Sequence, residues 1–527
     1  MSLRSAATGP DGLVVIEASG KLGAFRRAIE HVGWNFGVVA TLGHLYEWPT
    51  SLRHPGVCRR SDGGLVDHGR RAARPEVLAH VTQRLSGLRP NSTVILATDN
   101  DDEGHAIAAD VAALVREHCV GARLQRALPG AITLGAIASA LSRAQVYEPG
   151  AETLGVARRQ VDRVIGAGWS DLEGRKPVGR VLSALLRSVD RLPVSTERKQ
   201  HVIHDGRIDI VVECPGRGVE LSSGDLRLGG HGRVAAEAPP NYFDAIGILE
   251  DDAGIDIASA AALLQELYIS GKIGYPRTTR RGFDPAAAAT AEVEARRLGL
   301  ARFGDISSEP AVDQYRDDAH PAIALTEDGW ASADVLRPLA SRSTPRERVL
   351  AALARRSIAS VLTVEAPGIE VLRPDLRIRG ARIAGLPWMA RHVPATRDVS
   401  VGRALVDRME DEGIGRPSTV VAHAAKAQRM GWVSSSGALS PEGRAVLAAA
   451  PAGLDAAASR AVEDVLRGAA QSGAPIAAAR AIEWLQDCFP SRADALEAVL
   501  EPAAQLDLPD LSMTEDLEHD DAPSLRL

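Results

Sequence analysis

Apolar residues in the first 140 positions follow two alternating spacings. Short, largely β-branched runs bounded by polar residues predict buried strands, whereas apolar residues three or four positions apart predict helices that pack on a sheet. The runs lie at 14–16, 36–41 and 94–98, and the helical spacings lie at 21–32 and 106–118. This alternation predicts an α/β domain of βαβ type over residues 13–142.

The pattern changes several times later in the chain. Helical spacing covers 150–195, whereas residues 201–240 and 358–395 contain period-2 stretches that predict strands and turns. Further helices are predicted at 257–270, 285–300, 346–358 and over 404–500. Because the order α/β, α, β, α, β, α is nearly palindromic, we expect the chain to leave through a β layer and return through it. The domains would then be discontinuous in sequence.

The net charge of −7 argues against a nucleic-acid partner only until its distribution is considered. Residues 501–527 contain eight acidic residues and one arginine, so this segment carries the whole imbalance and the rest is formally neutral. We expect the acidic segment to be disordered. All but five of the 61 basic residues are arginines, which suit bidentate phosphate contacts, although a GC-rich genome would give the same bias.

Length and cysteine usage narrow the class of protein. A chain of 527 residues predicts several domains. It has no apolar stretch long enough to span a membrane and no secretory-signal layout. The four cysteines form no C-x-x-C pair, which indicates reduced thiols in a cytosolic protein and excludes a zinc ribbon. The absence of a G-x-x-x-x-G-K-[ST] motif argues against an ATP-driven motor.

Carboxylates follow two of the predicted strands. Glu17 ends the first strand, while Asp99, Asp101 and Glu103 follow the strand at 94–98. Open α/β sheets build their sites beyond the carboxyl ends of strands, so neighbouring strands would bring these four acids together. Their repulsion requires a cation, and oxygen ligands favour Mg²⁺.

The spacing within this acidic segment favours a site over the alternative, which is a solvated loop. In an extended chain Asp99, Asp101 and Glu103 would point the same way, and Gly104 would let the backbone turn into the next helix. The flanking strand and helix also favour the site. Lys21, in the first turn of the helix after Glu17, could reach a phosphate.

A second candidate site surrounds Tyr275. Gly271 is placed to end the preceding helix, whose Tyr268 is predicted to lie in the core. Tyr275 is followed by Pro276 and Arg277. A phenol is a poor nucleophile at neutral pH, and a neighbouring guanidinium would favour its ionised form and stabilise a phosphoryl group under attack. Elsewhere, Arg158 and Asp162 have the i, i+4 spacing of an ordinary helical ion pair.

Taken together, these segments resemble the ordered motifs of type IA DNA topoisomerases. The similar segments span residues 13–420 in the family's order and are the Glu17 to Lys21 segment of the first Toprim motif, A-T-x-G-H at 40–44, A-T-D-x-D-x-E-G at 97–104, A-R-R-x-x-D-R-x-x-G at 157–166, G-R-V at 179–181, I-x-Y-x-R-T at 273–278, A-H-x-A-I at 319–323 and G-I-G-R-P-S-T at 413–419.

Several positions depart from the family's pattern. Asp102 replaces an Arg, His105 replaces a Glu, and Gly274 replaces the Thr before the tyrosine. Where the family has R-T-D-S, this chain has R-T-T-R at 277–280. Where the family has G-R-V-Q, Leu182 stands in place of the Gln. None of these changes removes a residue that carries bond chemistry. The added carboxylate at 102 is expected to change how metal and phosphate are held, with slow or unusually metal-dependent activity as the result.

The resemblance implies a multidomain toroidal architecture with an α/β Toprim domain, mainly helical domains and a β-rich arch. The implied domains are Toprim, 12–148; helical base, 149–198 and 404–500; β-rich arch, 199–245 and 345–403; a helical domain carrying the nucleophilic tyrosine, 246–344; and an acidic tail, 501–527.

The resemblance also implies cleavage of single-stranded DNA through a 5′-phosphotyrosine, followed by strand passage and rejoining. This reaction depends on Mg²⁺, needs no ATP and relaxes negative supercoils. The implied protein is a cytoplasmic, nucleoid-associated monomer. It assigns the following roles: Tyr275, Arg277, Glu17 and Lys21 are catalytic; Glu17, Asp99, Asp101 and Glu103 bind metal; His44, Arg158, Asp162, Arg180 and His320 bind DNA. Two alternatives stay open. One is a different Toprim enzyme, such as a nuclease or primase, and the other is a DNA-binding relative with impaired cleavage.

Overall fold

The computed structural model describes residues 10–48, 55–205, 208–215, 221–222, 224–312, 320–342, 344–373, 376–383, 386–389 and 393–500. The predicted acidic tail, 501–527, lies outside the described residues. The chain divides into two compact units. The first combines Met1–Ala184 with Ala445–Leu527, and the second is Leu185–Arg444. The discontinuity expected from the palindromic pattern is therefore present.

The N-terminal part of the first unit alternates strands and helices, as predicted. Its elements are β1 (Gly12–Ile16), α1 (Leu22–His31), β2 (Phe36–Ala40), β3 (Tyr46–Glu47), β4 (Val57–Arg59), β5 (Leu65–Asp67), β6 (Arg71–Ala72), α2 (Pro75–Ser86), β7 (Thr93–Leu96), α3 (Asp102–His118), β8 (Arg123–Arg126), α4 (Leu134–Ser142) and β9 (Gln145–Val146). The short pairs β3–β6 and β4–β5 were not predicted, because strands of two or three residues leave almost no periodic signal.

The main sheet of this part has the order β2-β1-β7-β8-β9. The first four strands are parallel and β9 is antiparallel. The neighbouring strands β1 and β7 are buried along their whole length, as expected for inner strands of a parallel sheet. Val15, Leu96 and Ile107 belong to one buried core cluster, together with apolar residues of α2.

Two helices complete this segment of the first unit, α5 (Thr153–Trp169) and α6 (Arg180–Arg191). The boundary of the unit falls within α6. The apolar side of α5 contributes Val161 and Val164 to a second core cluster, whose other members come largely from the last helices of the chain.

The second unit contains the predicted β-rich regions and the helices between them. Its elements are β10 (Glu197–Asp205), β11 (Ile208–Pro215), β12 (Leu226–Ala235), α7 (Tyr242–Asp251), α8 (Ile257–Ile269), α9 (Pro285–Arg297), β13 (Asp305–Ile306), α10 (Glu327–Ser332), α11 (Pro345–Val361), β14 (Leu362–Val371), β15 (Arg377–Ile383), β16 (Thr396–Asp398), α12 (Val401–Asp411) and α13 (Val420–Arg429). The strands form antiparallel sheets of order β15-β11-β10-β16 and β12-β14-β13.

Helix α7 was missed by the sequence analysis, which ended the β-rich region at residue 245. Its start does have a local signal. Asn241 and Asp244 form a capping box, in which each side chain accepts a hydrogen bond from the other residue's backbone amide.

The chain then returns to the first unit through α14 (Pro441–Ala449), α15 (Ala456–Ala469), α16 (Ala474–Cys488) and α17 (Ala493–Glu497). Leu466 of α15 and Ile482 of α16 pack into the cluster that covers α5. None of the described helices is long and apolar enough to cross a membrane. All four cysteines are free, as predicted.

Candidate active site

The two strands that lead into carboxylates are neighbours in the sheet. β1 and β7 are parallel, with Val15 opposite Leu96, so their carboxyl ends meet at one edge. Glu17 directly follows β1, and Asp99 lies three residues beyond β7. The condition for bringing the acids together is therefore met, and this edge is the candidate active site.

An arginine at the end of β8 holds the turn that follows β7. Arg126 donates hydrogen bonds of 2.9 Å to the backbone oxygens of Thr98 and Asp99 and a third to the last residue of β7. Burial lowers the pKa of Arg126 to about 10, although the negative charges of Asp99, Asp101 and Glu17 act in the opposite direction. The guanidinium therefore lies within electrostatic reach of three of the four predicted acids.

The first two acids of the turn contact different groups. Asp99 forms an ion pair with Lys21, which precedes α1 and is only 1% exposed. Asp101 is the N-cap of α3 and accepts a hydrogen bond of 2.7 Å from the backbone amide of Gly104. Asp101 therefore stabilises the start of the helix by satisfying an amide that has no partner within it.

Glu103 contacts a histidine from the loop after β2. His44 Nε2 lies 2.5 Å from Glu103 Oε2. This hydrogen bond lowers the pKa of Glu103 and outweighs the opposing effect of burial. The backbone is helical from Asp102 onward. The expectation that Asp99, Asp101 and Glu103 point the same way from an extended chain is therefore wrong.

Gly104 lies in the first turn of α3, and its role also differs from the prediction. The helix has already begun at Asp102, and Gly104 is not among the glycines with a positive φ. Instead, a Cβ at this position would lie 2.1 Å from the backbone oxygen of Asp99. Glycine is therefore needed for the close approach between the turn and the helix.

Carboxylate oxygens suit Mg²⁺ chemically, but the predicted ligands do not form a ready set. Within the part of the chain that the structure describes, no group of three or more His, Cys, Asp or Glu side chains could hold a metal ion. Asp99 contacts Lys21 and Asp101 caps a helix, so these two acids already have other partners.

The arginines of α5 and α6 form a charged cluster with acids from three other positions. Arg158 donates to Asp102 at 2.7 Å and bonds Glu463 of α15 through two nitrogens, at 2.9 and 3.0 Å. Arg180, only 3% exposed, bonds both oxygens of Asp162, at 3.0 and 3.2 Å. It also lies 3.0 Å from Glu463. Arg158 and Asp162, although spaced as an ion pair, therefore take other partners.

In the second unit, Tyr275 lies between two other rings. Its ring stacks on His320, with centroids 4.0 Å apart and planes 24° apart, and meets the edge of Tyr268 at 5.4 Å. Tyr275 is only 4% exposed, and Tyr268 is buried as predicted. Gly271 has a positive φ of 72° just beyond α8, and it ends that helix as predicted.

The residues after Tyr275 are fixed to the start of α7. The backbone oxygen of Thr278 accepts a hydrogen bond from Tyr242 at 2.9 Å, and its hydroxyl donates to the backbone oxygen of His320 at 2.7 Å. Arg281 donates to Asp244 at 2.7 Å and to Glu410 of α12 at 2.7 Å. This segment is therefore connected to both helices.

Comparisons with known proteins agree with this geometry. A Toprim domain matches residues 12–127. "DNA topoisomerase 1" of Zymomonas mobilis is 25% identical over 492 residues, which cover 77% of this chain and 39% of that protein. The full-length topoisomerase I of Thermotoga maritima superposes with a TM-score of 0.60 at 15% identity, over 93% of this chain and 90% of that chain.

The chain contains a Toprim domain and has a topoisomerase I fold. The resemblance to type IA topoisomerases is confirmed, as is the predicted fold class of a Toprim α/β domain combined with helical and β-rich parts. The match covers well under half of the Zymomonas relative's length.

The predicted site residues of this Toprim protein fall into two sets. The first unit carries Glu17, Lys21, His44, Asp99, Asp101, Glu103, Arg158, Asp162 and Arg180, and the second carries Tyr275, Arg277 and His320.

Sequence reasoning missed Arg126 and Glu463. Arg126 ends a strand of the same sheet, which is a weak signal. Glu463 lies 305 residues from Arg158 in an alanine-rich helix, and no local pattern marks it.

Proposed function

We propose that the chain is a type IA DNA topoisomerase that cleaves single-stranded DNA transiently, passes a strand through the break and rejoins it, relaxing negative supercoils. The observation that carries this proposal is the occurrence, within one topoisomerase I fold, of a carboxylate-bearing Toprim edge and of a tyrosine stacked on His320. The ordered motifs over residues 13–420 support the same function.

In this proposal Tyr275 loses its proton to solvent and attacks a phosphodiester as the phenolate, keeping the 5′ phosphate as a phosphotyrosine while the 3′ oxygen leaves. Glu17 protonates the leaving oxygen and takes the proton back when the strand is rejoined. Arg277 stabilises the charge that develops on the phosphoryl oxygens. Because the phosphotyrosine ester conserves the bond energy, the reaction needs no ATP.

The proposal requires Tyr275 and Glu17 to act on the same phosphodiester. Since Tyr275 is 4% exposed, DNA can reach its hydroxyl only if the packing around the ring opens. Lys21 would then exchange its contact with Asp99 for the scissile phosphate, because both are anionic partners of one ammonium group.

DNA binding is divided between direct and indirect contacts. We propose that His44 and His320 contact the strand. Arg158, Asp162 and Arg180 act indirectly, because their ion pairs hold the helices that carry them.

Mg²⁺ is the cofactor that the donor chemistry favours. Glu17, Asp99, Asp101 and Glu103 would supply oxygen ligands once Asp99 has left Lys21 and Asp101 has turned from the Gly104 amide, and the bound ion would offset their mutual repulsion. We expect relaxation to be lost in a chelator and restored by Mg²⁺.

We propose that the protein acts as a monomer on single-stranded or negatively supercoiled DNA in the cytoplasm, at the nucleoid. We also propose the domain partition that the resemblance implies. It consists of a Toprim domain at 12–148, a helical base at 149–198 and 404–500, a β-rich arch at 199–245 and 345–403, and the tyrosine-bearing helical domain at 246–344.

The test is incubation with negatively supercoiled plasmid, Mg²⁺ and no ATP. The wild type should give a ladder of topoisomers, whereas Tyr275→Phe should give none because the phosphotyrosine cannot form. Tyr268→Phe is the matched control, since it keeps a buried ring and leaves the proposed nucleophile in place. Relaxation by Tyr275→Phe at the wild-type rate would overturn the proposal.

The same assay distinguishes the two alternatives. Nicked or linear products that persist in Tyr275→Phe would favour a Toprim nuclease. A mobility shift of single-stranded DNA without any change in plasmid topology would favour a binding protein with impaired cleavage.

A further inference from the structure

The first turn of α3 is tied to two distant helices through one guanidinium. Asp102 is the first residue of α3 and accepts a hydrogen bond of 2.7 Å from Arg158 of α5. The same arginine bonds both oxygens of Glu463 through its Nε, at 2.9 and 3.1 Å, and one of them again through Nη2. Arg158 therefore connects an acid of the 99–103 turn to an acid of α15.

The contact between α3 and α5 is also close at the level of the backbone. A Cβ at Gly155 would lie 2.9 Å from the backbone oxygen of Asp102 and 3.0 Å from its Cβ. Glycine at 155 thus permits an approach that any other residue would obstruct. As a result, the ion pair between Asp102 and Arg158 joins helices that already touch.

Glu463 is held in place by a second arginine. Arg180 lies 3.0 Å from Glu463 and donates to the backbone oxygen of Ser459, one turn earlier in α15, at 3.2 Å. The side chain of Glu463 is 16% exposed and that of Arg158 is 12% exposed. Ion pairs this well shielded are screened by salt much less than surface pairs.

We infer that Asp102 and Glu463 are positioning residues, which act through Arg158 to hold the first turn of α3 and hence the side chains of Asp101 and Glu103. This inference rests on the proposed function for its catalytic consequence. It gives the carboxylate at 102 a role outside metal binding, since its partner is an arginine. It also makes Arg158 an internal cation rather than a phosphate contact.

The test compares Asp102→Asn, Glu463→Gln and the conservative variant Asp102→Glu with Glu117→Gln. Glu117 lies in the last turn of α3, far along the helix from Asp102. The primary measurement is the rate of covalent complex formation with labelled single-stranded DNA. We expect Asp102→Asn and Glu463→Gln to be slower by roughly tenfold to a hundredfold, because displacement of catalytic groups by about 1 Å has that effect.

Rescue and coupling identify a positioning role. Asp102→Glu should recover most of the rate, because it keeps an acid that can bond Arg158. The double variant Asp102→Asn/Glu463→Gln should lose less than the product of the two single losses, since both act on one guanidinium. Glu117→Gln should behave as the wild type.

Single-stranded DNA affinity, measured in a Tyr275→Phe background, separates positioning from phosphate contact. We expect each single variant to bind within about twofold of the parent. Binding more than about tenfold tighter would overturn the inference, because it would mean that the acids had been competing with phosphate for Arg158.

Hydrogen exchange provides a measurement that does not depend on activity. The amides of Gly104 and His105 bond the side chain and the backbone of Asp101, respectively. They should exchange faster in Asp102→Asn and Glu463→Gln but not in Glu117→Gln. Unchanged exchange would overturn the inference even if the wild type relaxes DNA. Faster exchange in Asp102→Asn and Glu463→Gln, together with a wild type that forms no covalent complex, would support the inference while the proposed function failed.

Discussion

Tyr242 illustrates how burial changes one side chain beside the Tyr275 segment. Its backbone amide bonds Thr278, and its ring is only 5% exposed. Burial raises the pKa of Tyr242 to about 12, although the positive charge of Arg277 acts in the opposite direction. Burial also raises the pKa of Tyr147 to about 12.

We therefore predict late titration of these two phenols. In a spectrophotometric titration, the phenolate absorbance of each variant, Tyr242→Phe or Tyr147→Phe, is compared with that of the wild type. The part that each variant lacks should be the part that the wild type gains near pH 12, not the part that it gains near pH 10. The unfolded phenol ionises first, near its ordinary pKa of about 10, so the stability supplied by Tyr242 should fall as pH rises from there toward 12. Loss of signal near pH 10 in Tyr242→Phe would contradict the prediction.

At the scale of elements, a charged cluster joins the strands of the second unit to its helices. Glu213 of β11 accepts two hydrogen bonds from Arg397 of β16, at 2.6 and 3.1 Å. Asp407 of α12 accepts from Arg198 of β10 at 3.3 Å and from Arg403 of its own helix at 2.6 Å. Arg198 and Arg397 are thus paired with acids of other elements, and Arg403 with an acid of its own helix.

Helix α7 fits against this cluster because residue 247 lacks a side chain. A Cβ at Gly247 would lie 1.5 Å from Nη1 of Arg403, which is 4% exposed and bonded to Asp407. We predict that Gly247→Ala lowers the free energy of unfolding by about 1–3 kcal/mol through overpacking.

The matched control for Gly247→Ala is Gly468→Ala in α15, where an added Cβ would meet nothing within 4 Å. There, alanine should raise the free energy of unfolding by about 0.5–1 kcal/mol, because it reduces the freedom of the unfolded chain. Denaturant titration followed by circular dichroism measures both. The same sign for the two variants would contradict the packing argument.

The elements also show what the sequence could and could not reveal. Strands β1 and β7 were predictable because their β-branched runs are buried on both faces. Their adjacency was not predictable, because the sequence does not fix on which side of β1 the strands β2 and β7 lie. The partner of Arg158 was not predictable, because the local candidate Asp162 is satisfied by Arg180 and the actual partner, Glu463, comes from a remote helix. Local spacing cannot decide between partners that the tertiary fold supplies.

At the scale of the whole molecule, the first unit depends on both of its chain segments. The apolar side of α5 is covered by residues of α15 and α16, including Leu466, Ile482 and Leu485. The first segment also has a core of its own around Val15 and Leu96. Removing the second segment should therefore expose α5 without destroying the sheet.

We predict that a fragment of residues 1–184 self-associates and that co-expression with residues 445–527 restores a monodisperse species, because the missing helices cover the apolar side of α5. A fragment of residues 176–450, which keeps α6 and α14 whole, should unfold cooperatively alone, since it contains the complete second unit. Size-exclusion chromatography and thermal circular dichroism measure these outcomes. A monodisperse 1–184 fragment would contradict the first expectation.

The order of the segments has a consequence for biosynthesis. The 260 residues of Leu185–Arg444 emerge from the ribosome between the two parts of the first unit. At about 5–20 residues per second, α5 waits roughly 13–52 s for α15 and α16, even before those helices are themselves translated. During that delay the nascent polypeptide exposes the apolar side of α5. The yield of folded protein in the cell should therefore depend on chaperones that bind apolar surfaces early in translation.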